Sequence, residues 1–319
     1  MLPDDAQTTE DDALPAPRGD RRPGRSGSAP GEGRWRLTED VDEYLARAGD
    51  FLRSRPGRHV MQSTWAARLQ ARGAEAFGCT EAPVFGVLER AGEVEAAFHQ
   101  LRPRAVAPTP LTPEQADGLA AHLAALGRPL PAVSADHDTA TAFAEAWRRR
   151  TGATPTLRAT RLCLYGLGTL TPPDPHPAGR ARLLGDEDLQ DVMFWCGEFA
   201  AAVGEDVTID AGTWAGTRYA DKRYTVWETP DGEAVSVAGM NPLIGGQVQV
   251  DVVYTPTHLR GRGYAAAVTA EVSRAALAAG AREVVLFADL ANPTSNAVYQ
   301  RLGYRPLTEW STYDFAPAT

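Results

Sequence analysis

The order of secondary-structure elements that the sequence predicts runs twice along the 319-residue chain, once on each side of a proline-rich segment. Residues 171–179 (TPPDPHPAG) hold four prolines in nine positions, which favours a stiff, extended connector. On both sides, hydrophobic periodicity predicts an early helical region, a strand pair, a helix, a strand, a helix and a closing strand, the last at 157–164 in the first half. The pattern predicts two divergent copies of one α/β unit.

Composition agrees with a division into two domains and indicates where the domains begin and end. Hydrophobic residues make up 43% of the chain, enough for an ordinary globular core, and the length suits two domains. Residues 1–33 are rich in Pro, Gly, Ser and charge and predict a disordered tail. We therefore expect a tail at 1–33, a domain at 34–170, a connector at 171–179 and a second domain at 180–319.

Charge and cysteine usage exclude several classes of protein. The net charge of -9 argues against an affinity for nucleic acid, which needs a basic surface. The three cysteines lie far apart without the spacing of a zinc site, so we expect no metal. Because no apolar stretch approaches ~18 residues and the N-terminus lacks a secretory signal, we expect a cytoplasmic protein without membrane contact.

A glycine-rich turn joins the strongest strand of the second half, at 250–254, to a helix. Residues 260–265 read RGRGYA, which places Gly261 and Gly263 at the mouth of that helix. Glycines let the backbone approach a ligand, and a helix N-terminus carries about half a positive charge. The loop lacks the lysine of a Walker loop and the third glycine of a dinucleotide fingerprint. It predicts a pyrophosphate cradle, and a turn that glycine merely softens is the alternative.

A second segment of interest is the helix at 293–302. Asn292 is its predicted N-cap, and Asn296 and Tyr299 follow at spacings of four and three residues. The three side chains therefore share one face of the helix, opposite an apolar face. Such a helix is typical of a cleft wall, and an ordinary amphipathic helix with a packed tyrosine is the alternative.

These two segments resemble the motifs of the GNAT superfamily, the GCN5-related N-acetyltransferases. The acyl-CoA loop of that family, Arg/Gln-x-x-Gly-x-Gly/Ala, is similar to residues 260–265. The family's Asn-x-x-Ser-Asn-x-x-Tyr-x-x-Leu-Gly-Tyr/Phe is similar to residues 292–304, in the same order and at the same separation. The close resemblance covers residues 248–315. It implies an α/β (α+β) fold with two GNAT-like domains, each a mixed, mostly antiparallel central sheet flanked by helices.

The resemblance also implies acetyl-CoA as the acyl donor and direct transfer to an amine, with no acetyl-enzyme. In the family, the pantetheine arm lies beside the end of the fourth strand, where a backbone N–H polarises the thioester carbonyl. By resemblance, the phenol of Tyr299 protonates the departing thiolate. The cofactor-binding residues that the resemblance implies are Val253, Tyr254, Thr255, Arg260, Gly261, Arg262, Gly263, Tyr264, Ala265, Asn292 and Asn296.

The base that takes the proton from the amine stays open among three carboxylates. Asp251 lies on the strand at 250–254, which the resemblance makes the fourth strand, where some family members carry an acid. Strand alternation predicts that Asp251 faces away from Val250, Val252 and Tyr254. Glu228 and Glu233 border the strand pair and are the other candidates. Solvated surface charge is the alternative for all three, and some family members use no dedicated base.

The first half lacks the features that would bind acetyl-CoA. In the first half, residues 109–117 are the counterpart of the glycine-rich loop of the second half. They contain two acids and no glycine. We therefore expect a degenerate GNAT-like half that contributes a wall of the acceptor site or an interface.

The sequence thus predicts an acetyl-CoA-dependent N-acetyltransferase acting on a primary amine of a small molecule. The acidic balance is compatible with a cationic acceptor. A protein or peptide N-acetyltransferase and a non-catalytic acyl-CoA-binding regulator are the alternatives. We expect neither a nucleic acid nor a membrane as partner, and a homodimer stays open.

Overall fold

A computed structural model describes residues 33–79, 81–127 and 129–317. Apart from its last residue, the tail expected at 1–33 lies outside the described residues. The elements of the first half are β1 (Arg34–Thr38), α1 (Val41–Ser54), α2 (Val60–Arg72), β2 (Val84–Arg90), β3 (Glu93–Gln100), β4 (Val106–Pro108), α3 (Pro113–Ala125), β5 (Ala132–Asp136), α4 (His137–Thr151), β6 (Thr154–Leu157) and β7 (Leu162–Leu167). Those of the second are β8 (Arg180–Leu183), α5 (Leu189–Ala202), β9 (Arg223–Glu228), β10 (Ala234–Met240), β11 (Gln247–Tyr254), α6 (Tyr264–Ala278), β12 (Glu283–Asp289), α7 (Pro293–Arg301) and β13 (Tyr304–Ala316).

All the strands belong to one continuous sheet in the order β1-β2-β3-β4-β5-β13-β7-β12-β11-β10-β9-β8, with β6 pairing beside β13. Among the described residues, two neighbouring pairs are parallel, β4 with β5 and β11 with β12, one in each half. Helices pack on both faces of the sheet. The predicted fold class, a mixed and mostly antiparallel sheet flanked by helices, is confirmed.

The two halves exchange their last strands. In the first half the chain runs from β5 through α4 to β7, and in the second from β12 through α7 to β13. However, β7 pairs with β12 of the second half, and β13 pairs with β5 of the first. The exchanged strands also pair with each other, from Tyr304 opposite Leu167 to Trp310 opposite Leu162. Each half therefore completes its sheet with a strand from the other.

This exchange explains where the predicted strand at 157–164 is wrong. The chain forms two strands there, because β6 stays at the edge beside the end of β13, while β7 crosses to lie between β13 and β12. Hydrophobic periodicity reports that a segment is buried and extended, but not which neighbour it pairs with.

The glycine at position 303 is required by the same exchange. Gly303 has a φ of +97°, and a Cβ there would lie 1.9 Å from the carbonyl oxygen of Thr169, just beyond β7. The backbone N–H of Gly168 donates to the carbonyl of Gly303 at 3.0 Å. The turn before β13 and the chain leaving β7 thus approach too closely for any side chain.

Helix α2 of the first half packs over the centre of the sheet, where the halves meet. Its Val60 is fully buried against Leu164 of β7 and Val285 of β12. In the second half, α6 and α7 cover one face and α5 covers the other. No helix of the described residues is long and apolar enough to cross a membrane.

The connector at 171–179 lies against the second half. The indole N–H of Trp227 donates to the carbonyl of Ala178 at 3.2 Å, and the ring of His176 contacts the same indole edge-on at 5.0 Å. Pro177 lies 3.8 Å from the position that a Cβ on Gly263 would take, so the connector borders the glycine-rich loop.

Cutting the connector should leave the two halves together. With a protease site inserted at 172–174 and cleaved, we expect both fragments to elute from a sizing column as one species of unchanged size. The reason is that β7 remains hydrogen-bonded to second-half strands along both of its edges. Two separate species of half mass under native conditions would contradict the strand exchange, and cleaved protein in urea is the control for complete cleavage.

Candidate active site

Strands β11 and β12 separate toward their carboxyl ends. Their parallel pairing runs from Gln247 opposite Glu283 to Val250 opposite Leu286 and ends there. Both strands continue, β11 to Tyr254 and β12 to Asp289. Residues 251–254 and 287–289 therefore line a wedge-shaped opening in the sheet, and their backbone groups on this side are free of cross-strand bonds. The resemblance places the pantetheine arm at this opening.

A β-bulge at Val252 shapes the β11 side of the opening. Between Val237 and Gly239, β10 advances by two residues while its partner β11 covers three, from Tyr254 to Asp251. Val252 has a φ of +54°, which is rare for a β-branched residue and costs about 1–3 kcal/mol. Such a bulge redirects the side chains and N–H groups that follow it.

The bulge also corrects the predicted orientation of Asp251. Val250 and Val253 pack on the α6 side of the sheet, while Val252 and Tyr254 pack on the α5 side. Asp251 contacts Arg218, which itself lies over rings of the α5 side. The prediction that Asp251 faces away from Val250 is confirmed, but the prediction that it faces away from Val252 and Tyr254 is wrong, because the extra residue interrupts the alternation on which it rested.

Asp251 is held by three groups. One carboxylate oxygen, Oδ2, lies 2.5 Å from Nη1 of Arg218 and 3.0 Å from Nζ of Lys222, the only lysine of the chain. The other, Oδ1, accepts the backbone N–H of Val252 at 2.8 Å, which fixes the bulge. Burial alone would raise the pKa of Asp251, but Arg218 and Lys222 outweigh it and hold that pKa well below its usual range. An ionised carboxylate with two cationic partners is a weak proton acceptor.

Lys222 is buried as deeply as any charged group of the site, with 1% of its side chain exposed. Its ammonium also donates to Oδ1 of Asn241 at 2.6 Å. Burial lowers the pKa of Lys222 to about 8, although Asp251 acts in the opposite direction.

The other two carboxylates proposed as bases lie at the turn between β9 and β10, beyond β10 as seen from β11. Glu228 pairs with Arg180 at 3.3 Å and with Arg182, and the hydrogen bond from Arg182 lowers its pKa. Glu233 is exposed in the turn. Neither side chain borders the opening between β11 and β12.

A carboxylate that sequence reasoning missed contacts the end of β11. Glu198 on α5 is exposed, and its Oε2 accepts the hydroxyl of Tyr254 at 3.1 Å, at the end of β11. Helical periodicity predicts only that Glu198 is exposed on α5. Its contact with Tyr254 depends on how α5 packs across the sheet, which no local pattern encodes.

The glycine-rich loop has the backbone form that the sequence predicts for a phosphate cradle. Gly261 and Gly263 have φ values of +78° and +84°, and a Cβ on Gly261 would meet nothing within 4 Å. Arg260 braces the loop by donating from Nε to the carbonyl of Thr255 at 2.9 Å. Helix α6 begins at Tyr264 without a side-chain cap, so its first N–H groups face the loop.

The turn from β12 into α7 is closed by the two asparagines. Asn292 caps α7 by accepting the N–H of Ser295 at 3.1 Å. Asn296 donates to the carbonyls of Asp289 and Asn292 at 2.9 and 2.8 Å, and accepts the hydroxyl of Tyr165 from the exchanged strand β7 at 3.0 Å. Both side chains thus hold the turn beside the opening, and their predicted contact with the cofactor stays a prediction.

Tyr299 lies on α7 behind this turn, with 8% of its surface exposed. Its ring is 6.4 Å from that of Tyr165 and 6.1 Å from that of Tyr304. Burial raises the pKa of Tyr299, so the phenol keeps its proton at neutral pH. Among the described residues, no group forms a hydrogen bond with this hydroxyl.

The described residues include no group of three or more His, Cys, Asp or Glu side chains arranged to bind a metal.

Part of the second half matches a known protein family. Residues 244–313 match the family model described as FR47-like protein. This range contains all of β11, the glycine-rich loop, α6, β12, α7 and most of β13. None of the curated proteins matches the chain.

Solved structures share the fold across most of the chain. A GCN5-related N-acetyltransferase from Sphaerobacter thermophilus is 16% identical, with 89% of this chain and 96% of that one covered and a TM-score of 0.55. A tandem GNAT protein from the clavulanic acid biosynthesis pathway is 14% identical, with 90% and 99% covered and a TM-score of 0.52. A GNAT-family acetyltransferase from Colwellia psychrerythraea is 12% identical, with 89% and 100% covered and a TM-score of 0.52. The resemblance to the GNAT superfamily, of the tandem type, is confirmed at the level of the fold.

The replacement Asp251→Asn tests how the bulge is held. It should destabilise the protein by about 3–5 kcal/mol at pH 7, because it removes the counter-charge of the buried Lys222 and one of the two carboxylates that pair with Arg218. The pKa of Asp251 is lowered by folding, so its contribution is complete above the unfolded value of about 3.9 and is lost as the pH falls through the folded pKa. Urea unfolding at pH 7 and pH 3 measures both.

The difference between wild type and Asp251→Asn should therefore shrink at pH 3. The matched control is Asp314→Asn, which removes the exposed partner of Arg158 and should cost less than about 1 kcal/mol. Equal losses for the two variants at pH 7 would contradict the structural role given to Asp251.

Proposed function

We propose that this chain, with its tandem GNAT fold, is an acetyl-CoA-dependent N-acetyltransferase that transfers an acetyl group directly to a primary amine of a small molecule. The observation that carries the proposal is the coincidence, at one edge of the second half, of three features. They are the opening between β11 and β12, the bulge at Val252, and the glycine loop whose backbone lies open to solvent. Each feature would bind a different part of acetyl-CoA, which is a long, anionic thioester.

Binding of the donor would divide among these features. The pyrophosphate would lie on the N–H groups of residues 261–265, with Arg260 and Arg262 adding charge. The pantetheine amides would pair with backbone groups of Val253, Tyr254 and Thr255 that face the opening. A backbone N–H that follows the bulge, in Val253 or Tyr254, would polarise the thioester carbonyl and stabilise the negative charge that develops on its oxygen.

The chemistry needs one attack and two proton movements. The lone pair of the neutral amine forms the C–N bond at the thioester carbon, and the tetrahedral species then collapses with cleavage of the C–S bond. Tyr299 donates its proton to the departing thiolate, and the amine releases its own proton to a base. Burial raises the pKa of Tyr299, so the phenol carries its proton when the thiolate departs.

For the base, the surroundings favour Glu198 over the three carboxylates that the sequence suggests. Asp251 is better suited to fix the bulge, because two cations hold it ionised. Glu198 is exposed and contacts Tyr254 at the end of β11, so it can accept the proton of an incoming amine through water.

The acceptor that fits this face is cationic. Residues 183–217, which include α5 and cover this side of the second half, contain eight acidic residues and neither lysine nor arginine. Arg182 and Arg218 neutralise two of the acids, Asp188 and Glu205. The remainder gives a negative field that attracts a protonated amine before it loses its proton at the site.

The replacement Tyr299→Phe tests the proposal. It should lower kcat by about 10²-fold, because a general acid contributes of that order or more, while acetyl-CoA affinity stays within about two-fold. The measurements are turnover of acetyl-CoA with a panel of primary amines and calorimetric titration of acetyl-CoA. Tyr313→Phe removes a hydroxyl that binds Thr141 in the first half, and it should leave both values unchanged.

Each other outcome contradicts the proposal in a distinct way. Unchanged kcat in Tyr299→Phe would remove the phenol from the mechanism. Transfer to peptides but to none of the small amines would make the chain a protein acetyltransferase. Tight binding of acetyl-CoA with no transfer to any acceptor would make it an acyl-CoA-binding regulator.

A further inference from the structure

Helix α2 of the first half reaches across the sheet to the segment that holds Asp251 of the second half. Arg68 and Arg72 lie one turn apart at its C-terminal end and both contact Asp221, at 3.3 and 2.6 Å. Arg68 is 8% exposed and lies over the ring of Trp65 at 5.3 Å. A guanidinium as buried as this is costly unless its donors are satisfied.

The bonds of Arg68 show what it fixes. Besides the contact with Asp221, its Nη2 donates to the backbone carbonyl of Arg218 at 3.0 Å and lies 3.5 Å from Oδ1 of Asn241. These partners belong to the short segment 218–222 and to the residue that follows β10. Arg68 is therefore bonded to the backbone that carries Arg218 and to the amide that holds Lys222.

The segment 218–222 in turn holds the bulge. Arg218 and Lys222 converge on the same oxygen of Asp251, and the other oxygen of Asp251 accepts the N–H of Val252. The bonded path thus runs from α2, through two cations and one carboxylate, to the strained residue that shapes the opening. Every step of this path is a hydrogen bond or ion pair of at most 3.5 Å.

We propose that Arg68 of the first half is a positioning residue for acyl transfer in the second half, acting through the segment 218–222 on Asp251 and the bulge at Val252. The proposal rests on the proposed function, since it concerns the same opening. It also gives the first half a role in the reaction. Although that half has no glycine loop of its own, it holds the reaction centre of the other half in shape.

The replacement Arg68→Met tests this, because methionine keeps much of the length and the apolar packing of the stem but removes the donors. We expect kcat with the best amine of the panel to fall by about 10-fold or more, since small misplacements at a reaction centre cost up to about 10²-fold. The KM for acetyl-CoA should change less than kcat, because Arg68 does not contact the glycine loop that would hold the pyrophosphate.

A readout that needs no turnover is amide hydrogen exchange of the peptide 250–256 in the full chain. We expect Arg68→Met to speed its exchange by about 10-fold or more as the bulge loosens, with other β strands unaffected. The matched control is Arg58→Ala. Arg58 also joins the halves, by donating to the carbonyl of Leu307 at 3.3 Å, but it lies outside the path to Asp251.

Arg68→Lys is the second variant and covers the case in which Arg68→Met does not fold. It restores one donor and the charge, so kcat and exchange should both lie between wild type and Arg68→Met. Exchange of 250–256 and kcat in Arg68→Met equal to those of Arg58→Ala would overturn the proposal. If the wild-type chain transfers no acetyl group, the proposed function fails, while accelerated exchange at 250–256 in Arg68→Met alone still decides whether Arg68 holds the bulge.

Discussion

The strained backbone at Val252 is the constraint on which the candidate site depends. A β-branched residue at a φ of +54° persists only where its surroundings fix it, and here Asp251 does so by taking the N–H of Val252. Asp251 can do this because Arg218 and Lys222 keep it ionised in a buried place. The charges on the α5 face therefore help to fix the shape of the opening, because they keep Asp251 in the ionised form that holds Val252.

The strand exchange makes the two halves inseparable parts of one sheet and explains how each can serve the other. β7 carries Tyr165, whose hydroxyl donates to Asn296 beside the turn between β12 and α7. α2 carries Arg68, which donates to the backbone of the segment that holds the bulge. In the second half the glycine loop and the opening lie together, whereas the counterpart loop of the first half lacks glycine. On the proposed function, the second half binds the acyl donor and the first half supports it.

Much of this could be predicted from the sequence because the relevant signals are local. The repeat, the glycine turn at Gly261 and Gly263 and the cap at Asn292 depend on residues close together in the chain, and they are found where predicted. The bulge, the exchange of β7 and β13 and the contact of Glu198 depend on which distant segments meet. Alternation along β11 carried no sign of an extra residue, so the orientation of Asp251 relative to Val252 and Tyr254 was predicted wrongly.

The central claim is that only the second half binds the acyl donor, at the opening beside the bulge. Calorimetric titration of the full chain with acetyl-CoA tests it most directly. We predict one site per chain, and we predict that Gly261→Val abolishes that site, because the side chain would occupy the space open to the phosphates. Two sites per chain, or one site that survives Gly261→Val, would contradict the claim.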